Sequence, residues 1–124
     1  MNKIKCITVD DDPTILMVLK DLVSQDERLE LVCECENSLI AASNIQKYKP
    51  DLIFLDIMLP GLDGLEVLDV LDRRPAVIIV SGLENIAEEA ARFTEVVDIL
   101  AKPINPGAFS IAVANAMRYV LASK

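Results

Sequence analysis

The chain has no histidine, and none of its apolar runs is long enough to cross a bilayer. The first absence removes imidazole general-base chemistry, histidine metal sites and any phosphohistidine made by the chain itself. As to the second, runs such as Leu52–Leu55 and Val77–Val80 are broken by acids, proline or glycine. They stop far short of the roughly 18–20 residues a membrane span needs. Met1-Asn2-Lys3-Ile4-Lys5 leads straight into a strand pattern rather than a signal sequence, so no membrane contact and a cytoplasmic location are expected. Positive charge is scarce as well. Twelve Lys and Arg stand against twenty Asp and Glu, a net charge of −8, which repels a phosphate backbone and excludes direct nucleic-acid binding by this domain. Cysteine is limited to Cys6, Cys33 and Cys35, an odd number lying in strand-like apolar runs. They read as small buried hydrophobes in a reducing compartment, in preference to a metal site. Repeats, low-complexity segments and internal linkers are also missing.

What is present is one alternating pattern. With 124 residues, just over half of them apolar, the chain suits a single domain spanning residues 1–124. Strand-like runs at Ile4–Val9, Leu29–Cys35, Leu52–Leu55, Ala76–Val80 and Val96–Leu100 alternate with helical patterns. The first helix opens at Asp12-Pro13, an acid able to cap followed by a proline suited to the first helical position. The second runs from a Ser38 cap to about Lys47, the third over Leu62–Leu71, the fourth over Asn85–Phe93, and the last from about Asn105 to Leu121. Such alternation, with apolar inner strands, predicts a flavodoxin-like, doubly wound (βα)5 fold. Its five-stranded parallel sheet takes the order 2-1-3-4-5, with helices on both faces and the more polar second strand at an edge.

Residues at the carboxyl ends of the strands then share one crevice. These are Asp10, Asp11 and Asp12 after the first strand, Asp56 after the third, Ser81 after the fourth and Lys102 after the fifth. Singly, each has an ordinary structural role as a helix cap, a strand end or a solvated lysine. As a set they form one device. Crowded carboxylates repel unless a cation intervenes, and their hard oxygens suit Mg²⁺. A carboxylate nucleophile that attacks phosphorus yields an acyl phosphate. Lys102 and a hydroxyl from Ser81 are then suited to meet the phosphoryl oxygens.

Val9-Asp10-Asp11-Asp12-Pro13, the run from Leu55-Asp56 to Asp63-Gly64, Ile79-Val80-Ser81-Gly82 and Lys102-Pro103 resemble the receiver domain of bacterial two-component response regulators. The resemblance extends over essentially the whole chain. It implies that Asp56 is the phosphoacceptor and that Mg²⁺ is held by Asp10, Asp11, Asp56 and the backbone carbonyl of Met58. It further implies that Ser81 and Lys102 engage the phosphoryl group, and that the Lys102-Pro103 bond is cis. A sensor histidine kinase or phosphotransfer protein would be the donor. The domain would act as a signalling switch, catalysing only its own phosphorylation and dephosphorylation. The output surface would be the fourth helix, fifth strand and fifth helix, which also offer a homodimer face with Arg92, Asp98 and Arg118 as its charges. Met58 and Leu83 fall at the two positions that control water access. Both are bulky and apolar, which implies a slowly hydrolysing acyl phosphate.

The chain departs from that family's pattern at Ile99, where an aromatic residue is common, at Glu95-Val96 in place of Gly-Ala, and at Ile104 in place of Phe. Two other readings stay open on sequence alone. Asp10-x-Asp12-x-Thr14 also fits a haloacid-dehalogenase-type phosphatase, with Asp10 as nucleophile and Asp12 as general acid/base, but leaves Asp56 unexplained. A constitutive, unphosphorylated interaction domain is the other.

Overall fold

The computed structural model describes residues 3–57, 74–82 and 90–123. Strands β1 (Ile4–Val9), β2 (Leu29–Cys35), β3 (Leu52–Leu55), β4 (Ala76–Ser81) and β5 (Val96–Ala101) form one sheet in the order β2-β1-β3-β4-β5. Every pairing is parallel. β3 is central, and none of its four apolar side chains reaches solvent, as expected for a strand covered on both faces.

Helices α1 (Pro13–Ser24) and α3 (Pro106–Ala122) cover one face of the sheet; α3 is the fifth helix of the sequence pattern. Leu19 and Val23 of α1 meet Cys6, Leu52, Phe54 and Ile78, together with Phe109, Ala112, Val113, Ala116 and Val120 of α3. Phe54 and Phe109 stack with ring centroids 5.4 Å apart, a geometry that adds about 0.5–1.5 kcal/mol to the area buried. Helix α2 (Ser38–Tyr48) covers the opposite face. There Ala41 and Ile45 pack with Ile7, Val9, Ile53, Leu55, Val77, Ile79, Ala90 and Phe93.

Local chemistry sets the helix ends. Asp12 caps α1 through its side chain and Pro13 opens the first turn, as the sequence predicts. At α2 the cap is Asn37, whose Oδ1 accepts from Ile40 N–H at 2.9 Å. Ser38, expected to cap, is instead the first helical residue and is fully buried. α2 ends at Lys49 in a left-handed conformation (φ 49°), which turns the chain into β3. The expected third helix and most of the fourth lie outside the described residues. Phe93, expected inside the fourth helix, lies beyond its end and fills the core beside Ala90.

Both outer strands carry an inserted residue. Cys6 aligns with Leu31 but Ile7 with Cys33, which leaves Val32 without a register partner on β1. Val77 aligns with Val96 but Ile78 with Asp98, which does the same for Val97. Each insertion reverses the inside–outside alternation of the strand after it. Leu29 and Leu31 therefore face α1 and α3, while Cys33 and Cys35 face α2. Among the described residues no helix is long and apolar enough to cross a membrane.

Candidate functional site

Parallel strand order brings the ends of β1 and β3 side by side, and backbone hydrogen bonds hold the acids just beyond both ends. Asp10 N–H donates to the Cys35 carbonyl at 3.0 Å, and Asp56 N–H donates to the Val9 carbonyl at 2.9 Å. Asp10 Oδ1 accepts from Asp12 N–H at 2.8 Å, which locks the turn into α1. Asp10 is fully buried, Asp56 is nearly so, and Asp11 is exposed. One carboxylate oxygen from each of Asp10, Asp11 and Asp56 lies within 4.8 Å of the others, an arrangement able to hold a metal ion.

Lys102 reaches in from the end of β5. Its Nζ stands 2.9 Å from Asp10 Oδ2 and 3.4 Å from Asp56 Oδ2. Its backbone N–H donates to the Ser81 carbonyl at 3.1 Å, which ties the lysine to the end of β4. Burial disfavours the ammonium, but the contact with Asp10 and the charges of Asp56 and Asp10 outweigh it and hold the lysine pKa above its ordinary value. Two of the three carboxylates thus share one ammonium. The buried Asp10 Oδ2 meets the Lys102 ammonium as its charged neighbour. An all-oxygen donor set with excess negative charge suits a hard divalent cation such as Mg²⁺. Ser81, also buried, ends β4 on the same edge. The Lys102-Pro103 bond is cis.

Of the residues singled out for the crevice, Asp10, Asp11, Asp56, Ser81 and Lys102 gather at one edge of the sheet, while Met58 and Leu83 lie outside the described residues. Asp12 contributes its cap, with Oδ1 accepting from Thr14 N–H at 2.9 Å. The charges expected on the far surface have partners within the chain. Asn115 Nδ2 donates to Asp98 Oδ2 at 3.1 Å, and Arg118 bonds Asn115 Oδ1. Arg92 lies over the ring of Phe93. Glu95, noted as a departure, is buried and pairs with Arg74 Nη1 at 2.8 Å; the Arg74 carbonyl in turn accepts from Tyr119 Oη–H at 3.1 Å. No spacing in the sequence signals either link. Ile99 is half-buried and packs on the α2 face of the core.

The family model for the response regulator receiver domain matches residues 6–114. The transcriptional regulatory protein BtsR of Salmonella typhi is 36% identical over 104 residues, which cover 82% of this chain and 43% of BtsR. Its counterpart in Escherichia coli strain K12 is 34% identical over 105 residues, with 82% and 43% covered. The chain thus spans under half the length of these curated relatives. The crystal structure of the response regulator domain of Thermotoga maritima CheB superposes with a TM-score of 0.78 at 29% identity, covering 98% of this chain and 96% of that one. On the matched family model, the parallel sheet and the acidic crevice with its lysine, this chain belongs to the response regulator receiver domains of two-component systems.

Proposed function

We propose that Asp56 is the phosphoacceptor of this receiver domain and that its phosphorylation switches a surface formed by β5, α3 and the segment before β5. The observation that carries this reading is the convergence of Asp10, Asp11, Asp56 and Lys102 within a few ångströms at one sheet edge. In the transfer, a carboxylate oxygen of Asp56 forms a bond to phosphorus. The phosphorus–nitrogen bond of a phosphohistidine on a sensor kinase or phosphotransfer protein breaks, and the imidazole leaves with that electron pair. Asp10, Asp11, Asp56 and the Met58 carbonyl would hold Mg²⁺, which would supply charge neutralisation for the transferring group. Lys102, already 3.4 Å from Asp56 Oδ2, offers its ammonium to the phosphoryl oxygens. The Ser81 hydroxyl donates to another of those oxygens.

The turn of Ser81 biases the end of β4 and the chain beyond it. Because Ile99 stands where receivers commonly have an aromatic ring, the signal passes through a smaller side chain packed on the cluster that holds Ala90 and Phe93. An output domain, a partner, or a second copy of the chain meeting it across β5 and α3 would read that change.

Labelling with a small acyl-phosphate donor and Mg²⁺, then mass spectrometric mapping, tests the assignment. A phosphoryl group on Asp56, absent from a folded Asp56→Asn variant, is expected. Its appearance on Asp10, Asp11 or Asp12 would overturn the assignment, and a folded parent chain that takes no label would mark a constitutive interaction domain.

A further inference from the structure

Among the described residues, a second cluster of ligand-bearing side chains, outside the acidic crevice, lies between β2 and α2. Cys33 and Cys35, two residues apart, share one face of the strand, and the inserted Val32 turns that face toward α2, with their sulfurs 3.9 Å apart. From α2, Asn44 directs its amide at both, with Nδ2 3.2 Å from Cys33 Sγ and 3.6 Å from Cys35 Sγ. Cys35 is buried, while Cys33 and Asn44 are half-buried and give the pair a route to solvent. Phosphoryl transfer uses none of these groups.

We propose that the thiolates of Cys33 and Cys35, assisted by the side-chain amide oxygen of Asn44, bind a soft d¹⁰ cation of the Cu(I) class. Two metal–thiolate bonds of about 2.3 Å meeting at about 115–120° span roughly 3.9–4.0 Å, which matches the observed sulfur separation. A disulfide fits poorly. It needs Cβ atoms about 3.5–4.5 Å apart, whereas alternate side chains on a strand stand roughly 6.5 Å apart. Oxidation would buckle β2, and a bridging ion would not. Zinc is disfavoured by the number of donors, since structural zinc takes four. Among the described residues the one group of three or more Cys, His or acidic ligands is Asp10, Asp11 and Asp56. Two thiolate sulfurs suit a soft ion of low coordination number, with the neutral Asn44 oxygen as a weaker third donor. A half-turn of the Asn44 amide brings Oδ1 to the sulfurs in place of Nδ2.

Burial raises the Cys35 thiol pKa, against the opposing Asn44 contact and with a further contribution from Cys33. Cation binding therefore displaces protons, and affinity rises with pH. The Cys35 carbonyl accepts the Asp10 N–H, so the thiol pair sits one hydrogen bond from the acidic crevice.

The test is anaerobic titration of the reduced full chain with Cu(I) held by the chromogenic chelator bicinchoninate. The parent and Cys6→Ser are expected to draw one equivalent from the chelator. Cys6 is the control because it is fully buried on the opposite face. Cys33→Ser and Cys35→Ser should bind at least ten-fold more weakly, and Asn44→Ala several-fold more weakly. In the unmodified protein, Cu(I) should protect Cys33 and Cys35 from alkylation, as read by peptide mass spectrometry; this arm needs no variant to fold. Failure to take Cu(I) from the chelator, uptake unchanged in folded Cys33→Ser, equal loss in Cys6→Ser, or alkylation indifferent to Cu(I) would each overturn the site.

Discussion

Replacing Asp12 with alanine separates a capping acid from a catalytic one. Asp12 Oδ1 accepts from Thr14 N–H at 2.9 Å at the mouth of α1, while its backbone N–H holds Asp10 Oδ1 at 2.8 Å. The substitution deletes the first bond and keeps the second, so Asp10 stays in position. Loss of an aspartate cap costs about 0.5–2 kcal/mol, typically about 1. An unfolding entropy of about 2.1 cal/mol/K per residue gives roughly 0.26 kcal/mol/K for a chain of this length, so about 1 kcal/mol lowers Tm by about 4 °C. Asp12→Ser keeps an oxygen acceptor and should recover most of that loss. Thermal unfolding monitored by circular dichroism reads the stability, and phosphoryl labelling in Mg²⁺ reads the chemistry. The expected pair of results is a lowered Tm with labelling of Asp56 retained. An alanine variant that melts like the parent but takes no label would refute the capping argument and make Asp12 a participant in the reaction, as the phosphatase reading requires.

Further predictions concern coupling, acid sensitivity and lifetime. Ser81→Ala should still be phosphorylated, but NMR shifts from Gly82 to Phe93 on phosphorylation should shrink; identical shifts in parent and variant would place the coupling elsewhere. The hydrogen bond from Arg28 holds the Asp26 carboxyl below its ordinary pKa despite partial burial. A carboxylate depressed in the folded state adds stability above its unfolded pKa, and this is lost as pH falls through the folded value. The stability gap between parent and Asp26→Asn should therefore be full near neutrality and close as pH falls below about 3.9; a gap constant to lower pH would contradict the ion pair. Exchanging Met58 for an acid or amide should shorten the aspartyl-phosphate lifetime, measured by loss of label, and an unchanged lifetime would mean water access is not controlled there.

The sheet and its crevice were legible because both depend on coarse signals. The unbroken apolar run at Leu52–Leu55 reads as a covered central strand, and Asp12-Pro13 reads as a helix start. Once alternation sets the strand order, Asp10, Asp56, Ser81 and Lys102 have to meet at one edge. Parity within the outer strands was not legible. Val32 and Val97 are apolar residues in apolar runs, and nothing local distinguishes an inserted residue from a paired one. Strict alternation therefore misplaces Cys33, Cys35 and Ile99 relative to the helices. The α2 cap was missed because Asn37 and Ser38 are both good caps by type; Asn37 takes the role and Ser38 is buried as the first helical residue. The links from Asn115 to Asp98 and from Arg74 to Glu95 span 17 and 21 residues, beyond the reach of any local pattern.

The inserted residues at Val32 and Val97 also bear on self-association. The outer edge of a sheet offers unpaired backbone groups to any passing strand, and extension of one sheet by another is a route to aggregation. In β2 the regular runs are only Leu29–Leu31 and Cys33–Cys35, and in β5 the longest is Asp98–Ala101. A visiting strand would meet a break in the ladder within three or four residues, with increased local twist at that point. Neither edge is a straight template for continuous β-augmentation. Contacts with a kinase, an output domain or a second copy, including those across β5 and α3, are accordingly expected to depend on side chains rather than on strand addition, and so can be gated by a chemical change at Asp56.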